Sequence, residues 1–481
     1  MVNIYNRNFN KPNSRLKSIK TIFIAIVAII SSNTKSFSQQ ISAGWSHTLY
    51  LCNNGSTANA WGANAFGQVG DGTTTDKSLP VSVNGTTNIK AIQAGYQHTL
   101  ILKNDSTVEA WGDNTDGQLG NGNNTSTTSP VQVSGLSNVI AISGGTAGYH
   151  SLALKSDGTV WAWGRNTDGQ LGDGTNVSKN IPTQITALTG IIAISGGEYH
   201  SLAIKNDGTV WAWGRNNKGQ LGNGTTVSSN VPVQVNTLTS ITAIAAGRYF
   251  SIALKSDSTV WTWGENLYGQ LGNGTTVDSN TPVQVSGLTD ATAIAGAAFH
   301  CLVIKSDSTL VSWGRNTYGN LGNGTTTNSS TPISVSNLTS VVAIAGGTNY
   351  SVAMKANDSL FTFGRNTNGQ LGDGTTTDRY IPTPVLSLCA VPTEIAENNL
   401  TDSNIIFVFP NPSSNGIFQL ISNSNKIITI EVFNMLGEKI MNTTNNNTPT
   451  DLIDLSTHAN GIYLMTIKSE NNIVYQKLIK Q

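Results

Sequence analysis

The sequence predicts an all-β protein: a seven-bladed β-propeller of four-stranded antiparallel blades, followed by a small β-sandwich. Three observations carry this. One unit of about fifty residues recurs seven times, and a period of that length built from short strands marks a propeller or solenoid. A Trp-Gly marker punctuates the units at Trp61, Trp111, Trp163, Trp213, Trp263 and Trp313, with Phe363-Gly364 in the last. Within each unit the apolar residues and turn signals read as four strands, which make one blade.

The N-terminus follows a different pattern. Arg7, Lys11, Arg15, Lys17 and Lys20 precede an apolar run over 22–30, and Ser36 and Ser38 stand at −3 and −1 from a cut before Gln39. Residues 1–38 are therefore expected to be a secretory signal peptide. The run is about half of the ~20 residues that a membrane span requires, so no span is expected after signal removal. In the 481 residues, 27 basic side chains balance 27 acidic ones, which argues against a nucleic-acid partner. Three cysteines are too few for a disulfide scaffold.

The unit beginning at Ile191 shows how residues 39–390 are expected to fold. Ile192–Ser195 is a short apolar strand ended by Gly196-Gly197, and His200–Lys205 alternates as a second. Asn206-Asp207-Gly208 is a hairpin signal, because these residues tolerate positive φ. Thr209–Trp213 is a third strand that places Trp211 and Trp213 on one face. A Gly/Asn loop follows, and Val231–Val235 closes the unit, with Pro232 suited to an outer edge that need not donate a hydrogen bond. A lone blade cannot bury its apolar faces, so the tryptophan pairs are expected between blades, each ring covering on the order of 200 Å2. Closure of seven such blades into a ring removes exposed strand edges.

The pattern A-G-x-x-H-S-L-A-L-K-x-D-G-T-V-W-x-W-G-x-N-x-x-G-Q-L-G-x-G, best seen from Gly196 to Gly224, resembles the regulator of chromosome condensation repeat. The resemblance covers about 41–388 and implies a seven-bladed propeller. It implies no single activity: some members of that family are guanine-nucleotide exchange factors, others sit beside ubiquitin ligases, and a secreted bacterial member inhibits β-lactamase.

After Cys389 the composition changes. Residues 391–405 read as a linker, and 406–481 as a small β-sandwich with strands expected at 416–421, 427–434, 451–454, 461–468 and 473–479. Pro410-Asn411-Pro412, Val432-Phe433-Asn434-Met435-Leu436-Gly437, Gly461-Ile462-Tyr463 and Lys477-Leu478-Ile479, in that order, are similar to the C-terminal sorting domain of type IX secretion cargo. That resemblance implies a secreted or surface-displayed protein that engages the type IX machinery through its tail.

No catalytic constellation stands out, and no cofactor or metal is expected. His47, His98, His150, His200 and His300 open the second strand of five units, with Phe250 and Tyr350 in the other two. Spread one per blade, they suit a hydrogen bond between elements better than the ~2.1 Å shell of a zinc ion. Asp157, Asp207, Asp257 and Asp307 are explained by hairpin turns. Cys52 and Cys389, in the first and last units, are placed for a disulfide if the ring closes near them; two separate thiols is the alternative.

Differences between units point to a binding surface. The pair before the histidine position is Trp45-Ser46, Tyr96-Gln97, Gly148-Tyr149, Glu198-Tyr199, Arg248-Tyr249, Ala298-Phe299 and Thr348-Asn349, so six of seven units offer an aromatic. Trp45, Tyr96, Tyr149, Tyr199, Arg248, Tyr249 and Phe299 are expected to ring one face and meet a protein or glycan ligand; plugging the central channel is the competing role. Arg165, Arg215, Arg315 and Arg365, with Tyr268 and Tyr318 nearby, form a second set expected on the rim. The expected function is a non-enzymatic binding propeller. A secreted polysaccharide-acting enzyme or an inhibitor of a secreted enzyme is the alternative.

Overall fold

A computed structural model describes residues 40–389, apart from 53, 54, 56, 146 and 147, and residues 406–480 apart from short connections. The expected signal peptide and the 391–405 linker lie outside the described residues. Contacts divide the protein into two units, Met1–Ala390 and Val391–Gln481.

In the first unit, seven sheets each take four consecutive strands in sequence order, all antiparallel. The fourth blade is representative, with strands Ile191–Gly196, His200–Lys205, Val210–Gly214 and Ser229–Gln234. Its outer strand starts earlier than the apolar run suggests, so Pro232 sits within it; on an edge, its missing N–H costs no ladder bond. The innermost strands wall a central channel of about 290 Å3.

The blades are held together by a repeated polar latch. Ser201 Oγ donates to the Gln170 carbonyl of the preceding blade at 2.9 Å, and Trp213 Nε1 donates to the same oxygen at 2.9 Å. The inner tryptophans, such as Trp213, are wholly buried, whereas Trp161, Trp211 and Trp261 only half-bury and cover the interblade clusters from outside. His200 Nε2 lies 2.9 Å from Ser251 Oγ of the following blade. That serine commits its proton to the Gln220 carbonyl, so the histidine donates through Nε2, and Nδ1 is left buried without a partner. Burial lowers the pKa of His200 to about 3 and that of His150 to about 4. The five histidines are thus neutral struts between blades.

The ring closes between the last blade and the first. Tyr350, in a histidine position, donates its hydroxyl to the His47 carbonyl at 2.6 Å. Thr48 Oγ1 and Trp61 Nε1 each donate to the Gln370 carbonyl at 2.9 Å. Cys52 and Cys389 form a disulfide across this seam, with Cα atoms 5.5 Å apart. Cys301 is a buried free thiol.

The second unit contains a three-stranded sheet, Ile406–Phe409, Ile417–Ser422 and Thr450–Asp454, and a four-stranded sheet formed by Lys439–Thr443, Ile427–Phe433, Gly461–Ser469 and Ile473–Lys480. Phe418, Ile430, Val432, Met465 and Leu478 share its core. Strand Lys439–Thr443 escaped the sequence reading because it is a polar edge strand with only Ile440 and Met441 packed inward.

Candidate functional site

The aromatic turns and the long loops lie at one end of the ring. Each turn joins the innermost strand to the second, and each third strand returns to the same end, with His200 opposite Gly214. The glycine of the Trp-Gly marker explains its recurrence. It adopts φ between +99° and +110° in all seven blades, and a Cβ on Gly214 would lie 2.5 Å from the Tyr199 carbonyl. Only glycine makes this bend without strain. The bend aims the next residue's N–H back at the turn: Arg215 donates to the Tyr199 carbonyl at 2.9 Å.

This geometry merges the two sets that the sequence reading kept apart. Trp45 stacks on Tyr96 with centroids 4.5 Å apart, and Tyr96 on Tyr149 at 4.3 Å. Where the residue after Trp-Gly is arginine, a guanidinium enters between rings. Arg165 lies 5.2 Å from Tyr149 and 5.7 Å from Tyr199; Arg215 lies 5.1 Å from Tyr199 and 5.4 Å from Tyr249. In the fifth blade Glu265 takes that place, and Arg248 bridges Tyr249 and Phe299 at 5.1 and 5.3 Å. Arg315 lies over Phe299 at 5.2 Å and over Tyr268 at 5.1 Å, while Arg365 lies over Tyr318 at 5.2 Å. The arginines are members of one aromatic–guanidinium belt rather than a separate rim. The residues that line the channel come from the innermost strands, among them Ile194, Ile244, Ile294 and Ile344.

Buried charge sets the belt's middle. Arg248 pairs with Glu198 at 2.7 Å. Burial raises the Glu198 pKa and Arg248 opposes that rise. Burial, with Glu198 beside it, pushes the Tyr199 hydroxyl above its ordinary range, so it stays protonated. Below the belt, Asn216, fully buried, receives Leu221 N–H at 2.9 Å and reaches the Thr225 and Val227 carbonyls at 3.0 Å, which stiffens the loop after Arg215. The sequence reading assigned nothing to this asparagine, although it recurs two residues after every marker glycine. Among the described residues no group of three or more His, Cys, Asp or Glu could hold a metal. No helix among them is long and apolar enough to cross a membrane.

With this architecture in view, the protein belongs to the RCC1-like domain family, whose profile matches residues 25–285. The regulator of chromosome condensation (RCC1) repeat matches 307–354 and 357–396, and the secretion system C-terminal sorting domain matches 407–481. That tail directs the protein by type IX secretion to the cell surface or the medium. The ultraviolet-B receptor UVR8 of Arabidopsis thaliana is 44% identical over 69 residues, which span 14% of this protein and 16% of that receptor. Prp20p of Saccharomyces cerevisiae superposes with a TM-score of 0.64 at 23% identity, covering 71% of this protein and 88% of that one. Human WBSCR16 gives 0.62 at 24% identity, covering 69% and 94%. At this identity the likeness is one of fold.

Proposed function

We propose that the protein is a non-enzymatic binding propeller, displayed or released outside the cell, that takes a protein partner on the aromatic–guanidinium belt. The observation that carries this is the belt itself: rings in six blades interleaved with arginines on one end of a latched ring. Tyrosine, tryptophan and arginine are the residues that dominate protein–protein hot spots. Their mutual packing holds them in place, so little side-chain entropy is lost on binding.

The same packing favours a protein over a neutral glycan. Stacking on a sugar needs a free ring face, and the faces of Tyr96 and Tyr199 are already covered by neighbouring rings or guanidiniums. The test is to present the secreted protein to extracellular proteins and to a neutral polysaccharide panel in parallel. Saturable protein binding that is lost on replacing Tyr199 and Tyr249 by alanine supports the reading. Binding to neutral polysaccharide that depends on the same residues overturns it.

A further inference from the structure

The belt repeats, so the place where it fails is informative. Tyr199 is held between the guanidiniums of its own and the preceding blade, Arg215 and Arg165. The last two blades supply the equivalent arginines, Arg315 and Arg365, but the residue in the place of Tyr199 is Asn349. The backbone is unchanged there: Arg365 N–H donates to the Asn349 carbonyl at 2.9 Å, as Arg215 does to Tyr199. The turn of the seventh blade therefore contributes no ring, and the ring shared by the two guanidiniums is instead Tyr318, 5.7 Å from Arg315 and 5.2 Å from Arg365.

Two further observations make this notch a site. Thr348 and Asn349 are only 8% and 7% exposed, yet Thr348 Oγ1 and Asn349 Oδ1 find no hydrogen-bond partner. Native proteins rarely leave buried polar atoms so. The flanking arginines also lack the compensation given to other charges in the register. At the third-to-fourth and fourth-to-fifth blade junctions the third residue after the Arg215-type position offers the opposite charge to the next blade: Asp168 to Arg215 at 4.0 Å, and Lys218 to Glu265 at 3.9 Å. At the next two junctions, fifth-to-sixth and sixth-to-seventh, that residue is Tyr268 or Tyr318, so Arg315 and Arg365 meet rings and no carboxylate among the described residues. Each keeps its Nε on a threonine hydroxyl, Thr317 at 3.2 Å and Thr367 at 3.1 Å, which fixes the guanidinium plane.

We propose that this notch binds a carboxylate carried by the protein partner, either an Asp or Glu side chain or the terminal carboxylate of its backbone. The guanidiniums donate to the carboxylate, a pairing that planar forked donors suit. Asn349 Oδ1 and Thr348 Oγ1 accept from N–H groups of the adjoining peptide. The proposal rests on the belt being the binding face, and it assigns the acidic anchor to one sector of it.

The test is saturation-transfer NMR on the full mature protein with an acetylated tetraglutamate amide as probe, its tetraglutamine counterpart as control, and glucuronate as a carbohydrate source of the same carboxylate. The expected result is saturable binding of the glutamate peptide alone, weakened about tenfold by Arg365→Gln, the loss of one charge-assisted contact, and abolished by Asn349→Tyr. That substitution inserts the ring found in other blades, so the fold is expected to hold, and thermal unfolding of each variant checks it. Lys205→Gln, beside the hairpin at the opposite end of the blade, is expected to leave binding unchanged. Equal binding of the glutamine peptide, or binding unaltered by both notch variants, overturns the proposal. Preference for glucuronate overturns the assignment to a protein. If partner binding still falls in the Tyr199/Tyr249 variant, only the notch is lost and the belt reading stands.

Discussion

Phe250 and Cys301 show how closely neighbouring blades answer each other. In the five blades that carry the histidine, it donates to a hydroxyl of the next blade, as His300 does to Ser351 at 2.7 Å. Where phenylalanine replaces the histidine, the facing residue is cysteine, and both are fully buried in one apolar cluster. Polar meets polar or apolar meets apolar, since a lone buried donor costs its full desolvation. Phe250→His and Cys301→Ser should therefore couple: the double substitution is expected to be less destabilising than the sum of the singles by about 1 kcal/mol. A double-mutant cycle by urea unfolding checks this, and strict additivity would contradict it.

At the scale of the blade, the latch converts sequence repetition into a pH dependence. Burial lowers His98, His200 and His300 to about 3, and His47 and His150 to about 4, from 6.5. The unfolded protein takes up these protons near pH 6.5 and the folded one does not. The stability the histidines contribute is thus complete above 6.5 and is lost as pH falls from 6.5 towards 3–4, by about 1.4 kcal/mol per pH unit for each. Replacing His200 by phenylalanine together with Ser251 by cysteine, after the natural Phe250/Cys301 pair, should make that decline shallower in urea melts between pH 4 and 7. Trp213→Phe is expected to cost about 1 kcal/mol, because only one of two donors to the Gln170 carbonyl is lost. The seventh blade already manages with Phe363.

Across the whole molecule, the ring depends on its seam. The Cys52–Cys389 bridge spans 337 residues, and constraining a long loop typically adds about 2–5 kcal/mol. The paired Cys52→Ser and Cys389→Ser variant should unfold earlier by calorimetry, and reductant should shift the parent protein but not the variant.

Much of this architecture was legible in the sequence. The Trp-Gly marker, the Asp-Gly-Thr hairpins and the histidine position report strands and turns directly, because each answers a local backbone demand. Local pattern does not report which residue of one blade meets which of the next. The belt's arginines therefore read as a rim, and the cross-blade register of Asp168, Lys218, Tyr268 and Tyr318 went unseen. Comparing residues three beyond the arginine position between units would have revealed it.

The most direct test of the binding face is site-specific photo-crosslinking. A photoreactive phenylalanine analogue placed at Tyr199 or Tyr249, and as a control at Asp207 in the hairpin at the opposite end of the blade, is followed on the secreted protein in its native extracellular setting. A discrete crosslinked protein is expected from positions 199 and 249, suppressed by Arg215→Ala, and none from 207. Equal crosslinking from 207, or none from the belt while 207 gives a discrete product, would contradict it.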